Sequence, residues 1–257
     1  MSLHWAECRP PAGGRAPSAS TPPGTVVYAI GDIHGRSDLL QAIHQGIAVD
    51  ARLRPARRKV VVYLGDYVSR GIDSRRVVDM VRERRLNGCE VVTLKGNHED
   101  LLLRYLDGEL DAGRHWFDYD GLDALSHFGV EAADRQARDD TTLESLRRRF
   151  AAALAPEHVD FFRELGVSHR EGGYYFAHAG IRPGVALDAQ NDHDRMWIRG
   201  LFLRSGDDHG ATVIHGHSIA AQPEVRTNRI GIDTGAYRSG VLTCLVLDGA
   251  ERAFLQT

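Results

Sequence analysis

Residues 59–71 read KVVVYLGDYVSRG, a hydrophobic run that ends abruptly in polar residues. The run has the length and the β-branched content of a strand buried on both faces. Gly65 and Asp66 end it, and glycine allows the backbone to turn sharply there. The stretch predicts a buried strand with an acidic side chain at its carboxyl end, where open α/β sheets place their functional sites.

The same pattern occurs once before and once after this stretch. TVVYAI (25–30) is stopped by GDIHG (31–35), and EVVTLK (90–95) is stopped by GNHE (96–99). Apolar residues at helical spacing follow each loop, at 39–47, 77–81 and 101–106. Three strand–loop–helix units in succession predict an α/β fold in which the three polar loops share one edge of a sheet.

The rest of the chain divides by composition. Residues 9–24 are rich in Pro, Gly, Ala and Ser, which predicts a disordered N-terminal leader over 1–24, followed by a single domain over 25–257. Residues 109–165 carry helical patterns and little strand signal, which predicts a helical cap insertion. The second half returns to short strands with turns between them, in GVSHRE, YYFAHAG, ATVIHGH, RIGIDTG, VLTCLVLDG and RAFLQ. We expect these to form a second sheet packed on the first.

Charge and cysteine content exclude several classes of function. The 257 residues include 32 Lys and Arg against 35 Asp and Glu, a balance without the positive field of a nucleic-acid binder. No apolar run reaches membrane-spanning length, so we expect no membrane partner. Three widely spaced cysteines predict neither a disulfide framework nor a zinc knuckle. A cytoplasmic protein is the resulting expectation.

Metal-ligand residue types follow the predicted strands throughout the chain. They are Asp32, His34, Asp66, Asn97, His98, His178 and His217. Carboxylate, imidazole and amide donors without a thiolate suit borderline-to-hard divalent ions, and we expect manganese, with iron or zinc as alternatives. His215 and His217 both lie in ATVIHGHS, so either could reach an ion.

The order GDIHG, GDYVSRG, GNHE, HAG and HGHS resembles the calcineurin-like metallophosphoesterases, and more closely their phosphoprotein phosphatase branch. The resemblance covers about residues 26–245. It implies a metallophosphatase β-sandwich flanked by helices, with two divalent metal ions held at the strand ends.

The resemblance also implies a role for each matching residue. Asp66 would bridge both ions, and His98 would protonate the leaving oxygen. Arg70 would bind phosphate, and so would Arg199, which matches the family pattern less closely. The implied metal ligands are Asp32, His34, Asp66, Asn97, His178 and His217. The match selects His217 over His215, and Asp233 also lies in a segment that matches the family. We expect Ser69, His215 and Asp233 to be supporting residues around the site.

The implied reaction is consistent with elementary chemistry. Two ions that share one carboxylate can generate a hydroxide at neutral pH for in-line attack on phosphorus. Arginine's planar fork suits two phosphoryl oxygens at once. An imidazole that titrates near neutrality can supply the proton that an alkoxide leaving group needs. The principal expectation is a phosphomonoesterase of the bacterial Ser/Thr protein phosphatase type, acting on a phosphorylated protein.

Ser69 departs from the branch pattern GDxVDRG, in which the second Asp holds the catalytic histidine protonated. A hydroxyl cannot raise the pKa of an imidazole by charge, although Glu99 or Asp100 could stand in for the missing acid. Symmetrical dinucleoside-tetraphosphate hydrolases of the same branch also lack this Asp, which makes a nucleotide substrate the first alternative. A catalytically degenerate phosphate-binding module is the second.

Overall fold

The valine-rich run around residue 61 forms a central strand, with strands paired on both sides. The computed structural model describes residues 3–10, 17–83, 86, 88–136 and 138–257. Its strands are β1 His4–Glu7, β2 Thr25–Ile30, β3 Arg58–Tyr63, β4 Glu90–Thr93, β5 His169–Glu171, β6 Tyr174–Phe176, β7 Thr212–His215, β8 Glu224–Val225, β9 Arg229–Gly231, β10 Thr243–Asp248 and β11 Glu251–Gln256. Its α-helices are α1 Ser37–Leu53, α2 Ser74–Arg82, α3 Asn97–Leu106, α4 Leu110–Asp118, α5 Gly121–His127, α6 Asp140–Ala153, α7 Pro156–Glu164, α8 Asp192–Trp197, α9 Gly200–Leu203 and α10 Ala236–Ser239.

The first sheet contains the three predicted strand–loop–helix units. Its strand order is β1-β11-β10-β2-β3-β4, with β2, β3 and β4 parallel to one another. The carboxyl ends of these three strands therefore lie along one edge, as the sequence predicts. One face of this sheet packs against α1–α7 in a large apolar core, which includes the fully buried Trp116.

The second sheet has the order β5-β6-β7-β9-β8, with β6, β7 and β9 parallel. It packs on the other face of the first sheet, where Val27 and Val62 share a core cluster with Phe176 and Ile214. The α/β sandwich flanked by helices is therefore confirmed. Because parallel strands of both sheets end near the same place, loops from both can supply side chains to one site.

One assignment of strands to the second sheet is wrong. The runs VLTCLVLDG and RAFLQ form β10 and β11, and β10 pairs antiparallel with β2 in the first sheet. Successive residues of β10 enter opposite cores, Val246 on the helix side and Leu247 between the sheets. A continuous apolar run indicates burial on both faces, but it does not specify the neighbouring strand.

The prediction of a disordered leader over 1–24 is also wrong for its described parts. Residues 4–7 form β1, which pairs with β11 at the edge of the first sheet. Farther on, Arg252 donates hydrogen bonds to the carbonyl oxygens of Pro17 and Ala19, and Thr21 is buried. A polar composition predicts disorder when the backbone of the segment finds no partners. Here β11 and the Arg252 side chain supply hydrogen bonds to the leader. Residues 1–2 and 11–16 of the predicted leader lie outside the described residues.

Helices α4–α7 occupy the 109–165 region, and the role of this region as a cap stays a prediction. Among the described residues, no helix is both long and apolar enough to cross a membrane.

Candidate metal centre

Polar loops from both sheets meet at the carboxyl ends of their strands. The buried side chains that meet there are Asp32 and His34 after β2, Asp66 after β3, Asn97 and His98 after β4, His178 after β6 and His217 after β7. All seven metal-ligand candidates from the sequence are therefore brought together in one place.

Asp66 lies at the centre of this cluster. Its Oδ2 is 3.3 Å from His34 Nε2, 3.5 Å from His178 Nε2 and 3.9 Å from His98 Nε2. Asp66 belongs to two groups of potential metal-binding atoms, one with His34 and His98 and the other with His178 and His217. A carboxylate common to both groups is the arrangement that a bridging ligand requires.

Backbone carbonyls orient two of the imidazoles. Nδ1 of His34 lies 2.9 Å from the Val68 carbonyl oxygen, and Nδ1 of His178 lies 2.9 Å from that of Leu64. Each Nδ1–H can only donate in such a contact, so the Nε2 lone pair is directed into the cluster. Outer hydrogen bonds of this kind fix metal-binding histidines in the correct tautomer.

The remaining donors complete the second group. The Asn97 Oδ1 atom lies 3.0 Å from Nε2 of His178, and His217 Nδ1 lies 3.2 Å from that same nitrogen. The Oδ1 atom of Asn97 and the two imidazole nitrogens therefore lie close together, as metal-binding atoms directed at one ion would. His217 therefore offers Nδ1, whereas His34 and His178 offer Nε2.

The electrostatics of the cluster fit divalent cations. Burial lowers the pKa of His178 to about 4, and it lowers the pKa values of His34 and His98 well below the usual range, so the imidazoles are neutral. Burial raises the pKa of Asp66 to about 7, and burial and neighbouring carboxylates raise that of Asp32. Neutral imidazoles beside buried carboxylates form a site whose negative charge is balanced once cations bind.

Asp32 is held by the loop that carries His217. The His217 backbone N–H donates to Asp32 Oδ2 at 3.0 Å, and a Cβ added at Gly216 would lie 1.9 Å from Asp32 Oδ1. The absence of a side chain at Gly216 is therefore what admits the carboxylate. Asp233 is buried, and its carboxylate accepts a hydrogen bond of 2.9 Å from the Gly235 backbone N–H.

Ser69 does not replace the missing carboxylate partner of His98. Its hydroxyl accepts a hydrogen bond of 3.0 Å from the Trp116 indole N–H. Nδ1 of His98 is buried and has no hydrogen-bond partner among the described residues. Asp100 is also engaged elsewhere, because its Oδ2 accepts from the Trp197 indole N–H.

Glu99 has a structural function that the sequence did not reveal. Its carboxylate accepts hydrogen bonds from four backbone N–H groups, at distances of 2.8–3.2 Å. These groups belong to Asp66, Tyr67, Val68 and Gly96. Glu99 therefore holds the loop that presents Asp66, and it is not available to His98.

Two arginines line the open side of the cluster, in a cavity of about 260 Å³. Nη1 of Arg70 lies 3.2 Å from His34 Nε2, and its guanidinium carbon lies 4.7 Å from the centre of the Tyr237 ring. Arg199 donates to the His217 carbonyl oxygen. Tyr119 also lines the cavity, and nothing in the sequence motifs pointed to either tyrosine.

His215 belongs to neither group of potential ligands, although the sequence left it open as one. Its Nδ1 lies 3.0 Å from the Gly216 carbonyl oxygen, and its ring packs edge-on against Phe202. His215 therefore lies on the face of β7 that packs, through Val213, against Phe202. By contrast, His217 lies beyond the end of the strand and has a φ of +62°. The position of His217 agrees with the selection made from the motif.

Comparisons with known proteins agree with this geometry. The family model described as calcineurin-like phosphoesterase matches residues 25–225. An asymmetrical bis(5'-nucleosyl)-tetraphosphatase of Anoxybacillus flavithermus is 25% identical over 84% of this chain and 88% of its own length. A symmetrical bis(5'-nucleosyl)-tetraphosphatase of Dechloromonas aromatica is 30% identical over 61% of this chain but only 44% of its own length.

Two solved structures share the fold. One, proposed to be a diadenosine tetraphosphatase, superposes with a TM-score of 0.58 at 20% identity and covers 90% of both chains. The other is a cold-active protein-tyrosine phosphatase of a Shewanella species, with a TM-score of 0.51 at 18% identity, covering 95% of this chain and 85% of the other.

Proposed function

The chain belongs to the calcineurin-like phosphoesterase family, and within it we propose that the protein hydrolyses the phosphoanhydride bonds of dinucleoside polyphosphates. Metallophosphoesterase chemistry follows from the family. The choice of substrate class rests on the state of His98 and agrees with the names of the relatives.

The buried, unpartnered Nδ1 of His98 is the observation that carries the proposal. A serine alkoxide is a poor leaving group and needs a proton from a strong general acid as it departs. No carboxylate among the described residues hydrogen-bonds to Nδ1 of His98, and burial lowers the pKa of this residue, so the ring is poorly suited to that task. A nucleotide leaves as a phosphate anion and needs little protonation. The site therefore favours anhydrides over serine and threonine phosphates.

The chain's own residues account for binding and orientation. Arg70 and Arg199 line the cavity and can donate paired hydrogen bonds to phosphoryl oxygens. Asp32, Asp66, Asn97 and the inward-facing imidazoles would hold two divalent ions, which supply the charge that activates water and neutralises the phosphoryl group. His98 lies beside Asp66, where it can donate a hydrogen bond to a departing oxygen.

The Ser/Thr protein phosphatase predicted from the sequence receives less support than its nucleotide alternative. The curated relatives reported above are tetraphosphatases, and the phosphatase structure shares only the fold. The degenerate binding module is also disfavoured, because all six positions that match metal ligands of the family carry donor side chains.

A comparison of three substrates tests the proposal. Manganese-loaded protein would be assayed with diadenosine tetraphosphate, p-nitrophenyl phosphate and a phosphoserine peptide, with products separated by chromatography. We expect kcat/KM for the dinucleotide to exceed that for the peptide by at least about a hundredfold, and the Asp66→Asn variant controls for contaminating phosphatases. The products show whether cleavage is symmetrical. Equal or faster turnover of the phosphoserine peptide would overturn the proposal.

A further inference from the structure

The loop between β3 and α2 holds two consecutive residues in the left-handed region. Ser69 has a φ of +72° and Arg70 a φ of +68°, and neither is glycine. Such a conformation costs free energy, of order 1 kcal/mol or more per residue, and persists only where surrounding contacts enforce it. The direction of the Arg70 side chain follows from this backbone, so the contacts of Ser69 bear on Arg70.

Ser69 is fully buried, and both its backbone and its side chain are fixed. Its backbone N–H donates to the Ser74 hydroxyl at 3.1 Å, and its hydroxyl accepts from the Trp116 indole N–H at 3.0 Å. Ser74 is the first residue of α2, and Trp116 is in α4. The left-handed pair is therefore connected to two helices by buried hydrogen bonds.

Trp116 is a rigid anchor for this contact. Its ring is fully buried and packs against Tyr105, Phe117 and Phe150 in the helix-side core. A buried indole N–H needs an acceptor, and the Ser69 hydroxyl provides one. Breaking this bond would leave the N–H unpaired and would free the hydroxyl, so the bond favours one position of the loop.

We infer that Trp116, acting through Ser69, is a positioning residue for Arg70 and thereby sets the affinity of the site for phosphoryl groups. This inference rests on the proposed function, in which Arg70 binds phosphate. Through Trp116, α4 in the 109–165 region is thus connected to the loop between β3 and α2 that carries Arg70. The same contact gives Ser69 a function that does not involve His98.

The test measures phosphate binding directly and does not require turnover. Inorganic phosphate would be titrated calorimetrically into the manganese-loaded protein, its Ser69→Ala and Trp116→Phe variants and the double variant. The Arg70→Ala variant sets the largest loss of phosphate affinity that the inferred mechanism allows. Tyr105→Phe is the matched control, because it removes a buried hydrogen bond to the Leu143 carbonyl oxygen in the same core without touching the loop.

We expect each single variant to weaken phosphate binding about tenfold, as for the loss of one buried hydrogen bond, and the double variant to be no weaker than either. Tyr105→Phe should lower the melting temperature similarly but leave phosphate binding unchanged. On the best substrate, KM should rise more than kcat falls. Unchanged phosphate affinity in both single variants, or an equal loss in Tyr105→Phe, would overturn the inference. If wild-type protein binds phosphate but leaves dinucleotides intact, only the proposed substrate fails.

Discussion

Oδ2 of Asp66 lies 3.5 Å from Nε2 of His178, although the two residues follow strands of different sheets. Asp66 follows β3 in the first sheet, and His178 follows β6 in the second. The cluster therefore exists only where the two sheets are packed together. Metal binding, catalysis and the packing of the sandwich should respond together to changes at this contact.

Replacing Asp66 with Asn should abolish activity and bound metal together. The amide keeps the shape of the side chain but removes the charge shared by both groups of ligands. We expect activity to fall by at least about a thousandfold, because two ions contribute several kcal/mol to such reactions. Elemental analysis measures the metal content, and Asp107→Asn, at an exposed position, is the control. Two ions per chain with normal turnover in Asp66→Asn would refute the bridging role.

The raised pKa of Asp66 predicts how the stability of the metal-free protein depends on pH. Burial raises the folded-state pKa of Asp66 from 3.8 to about 7. The folded state thus holds this proton more tightly than the unfolded state does. The contribution of the protonated Asp66 to the free energy of unfolding is therefore fully present below pH 3.8 and is lost as pH rises through about 7. In chelator, wild-type melting temperature should fall over this range more than that of Asp66→Asn. Manganese should stabilise wild type more at pH 8 than at pH 6, because protons no longer compete. Equal manganese effects at the two pH values would contradict this.

Replacing His98 with Asn should separate substrates by leaving group. Alkyl phosphates should lose about tenfold or more in kcat, because their alkoxide depends on whatever proton His98 supplies, whereas diadenosine tetraphosphate should lose clearly less. Steady-state assays of both substrates provide the comparison. The exposed His193 is the control, since it lies outside the cluster and His193→Asn should change neither rate. Equal losses on both substrates would exclude His98 as the acid.

Adding a methyl group at Gly216 should disrupt the site by steric clash. The new Cβ would lie 1.9 Å from Asp32 Oδ1, too close for the carboxylate to keep its place. We expect Gly216→Ala to lose metal affinity and most activity, while its circular dichroism spectrum stays that of a folded protein. Gly206→Ala is the matched control, because a Cβ there meets nothing within 4 Å. Wild-type metal affinity in Gly216→Ala would show that Asp32 is not needed for binding.

The sequence predicted those parts of the site that follow from local patterns. Each polar cluster directly follows an apolar run, and the ends of parallel strands meet along one edge, so Asp32, Asp66 and Asn97 could be placed together before the structure was known. The β-branched runs themselves gave the three parallel strands of the first sheet.

Long-range contacts explain what the sequence could not predict. The acceptor role of Glu99 depends on four N–H groups, three of them more than thirty residues away, and the Trp116–Ser69 bond joins residues 47 positions apart. No periodicity encodes such pairs. For the same reason β1 escaped detection, because the strand that it pairs with, β11, lies about 250 residues farther along the chain.

The position of β10 between β11 and β2 has a consequence for biosynthesis. During translation, β2, β3 and β4 emerge long before β10, and the histidines of β6 and β7 emerge only after the helical region. Asp32, Asp66 and Asn97 therefore leave the ribosome before His178 and His217, and β2 is synthesised long before its antiparallel neighbour β10. The ligand group of Asp66, His178 and His217 is therefore complete only late in synthesis. An ion held by this group would bind only after strands of both sheets have come together.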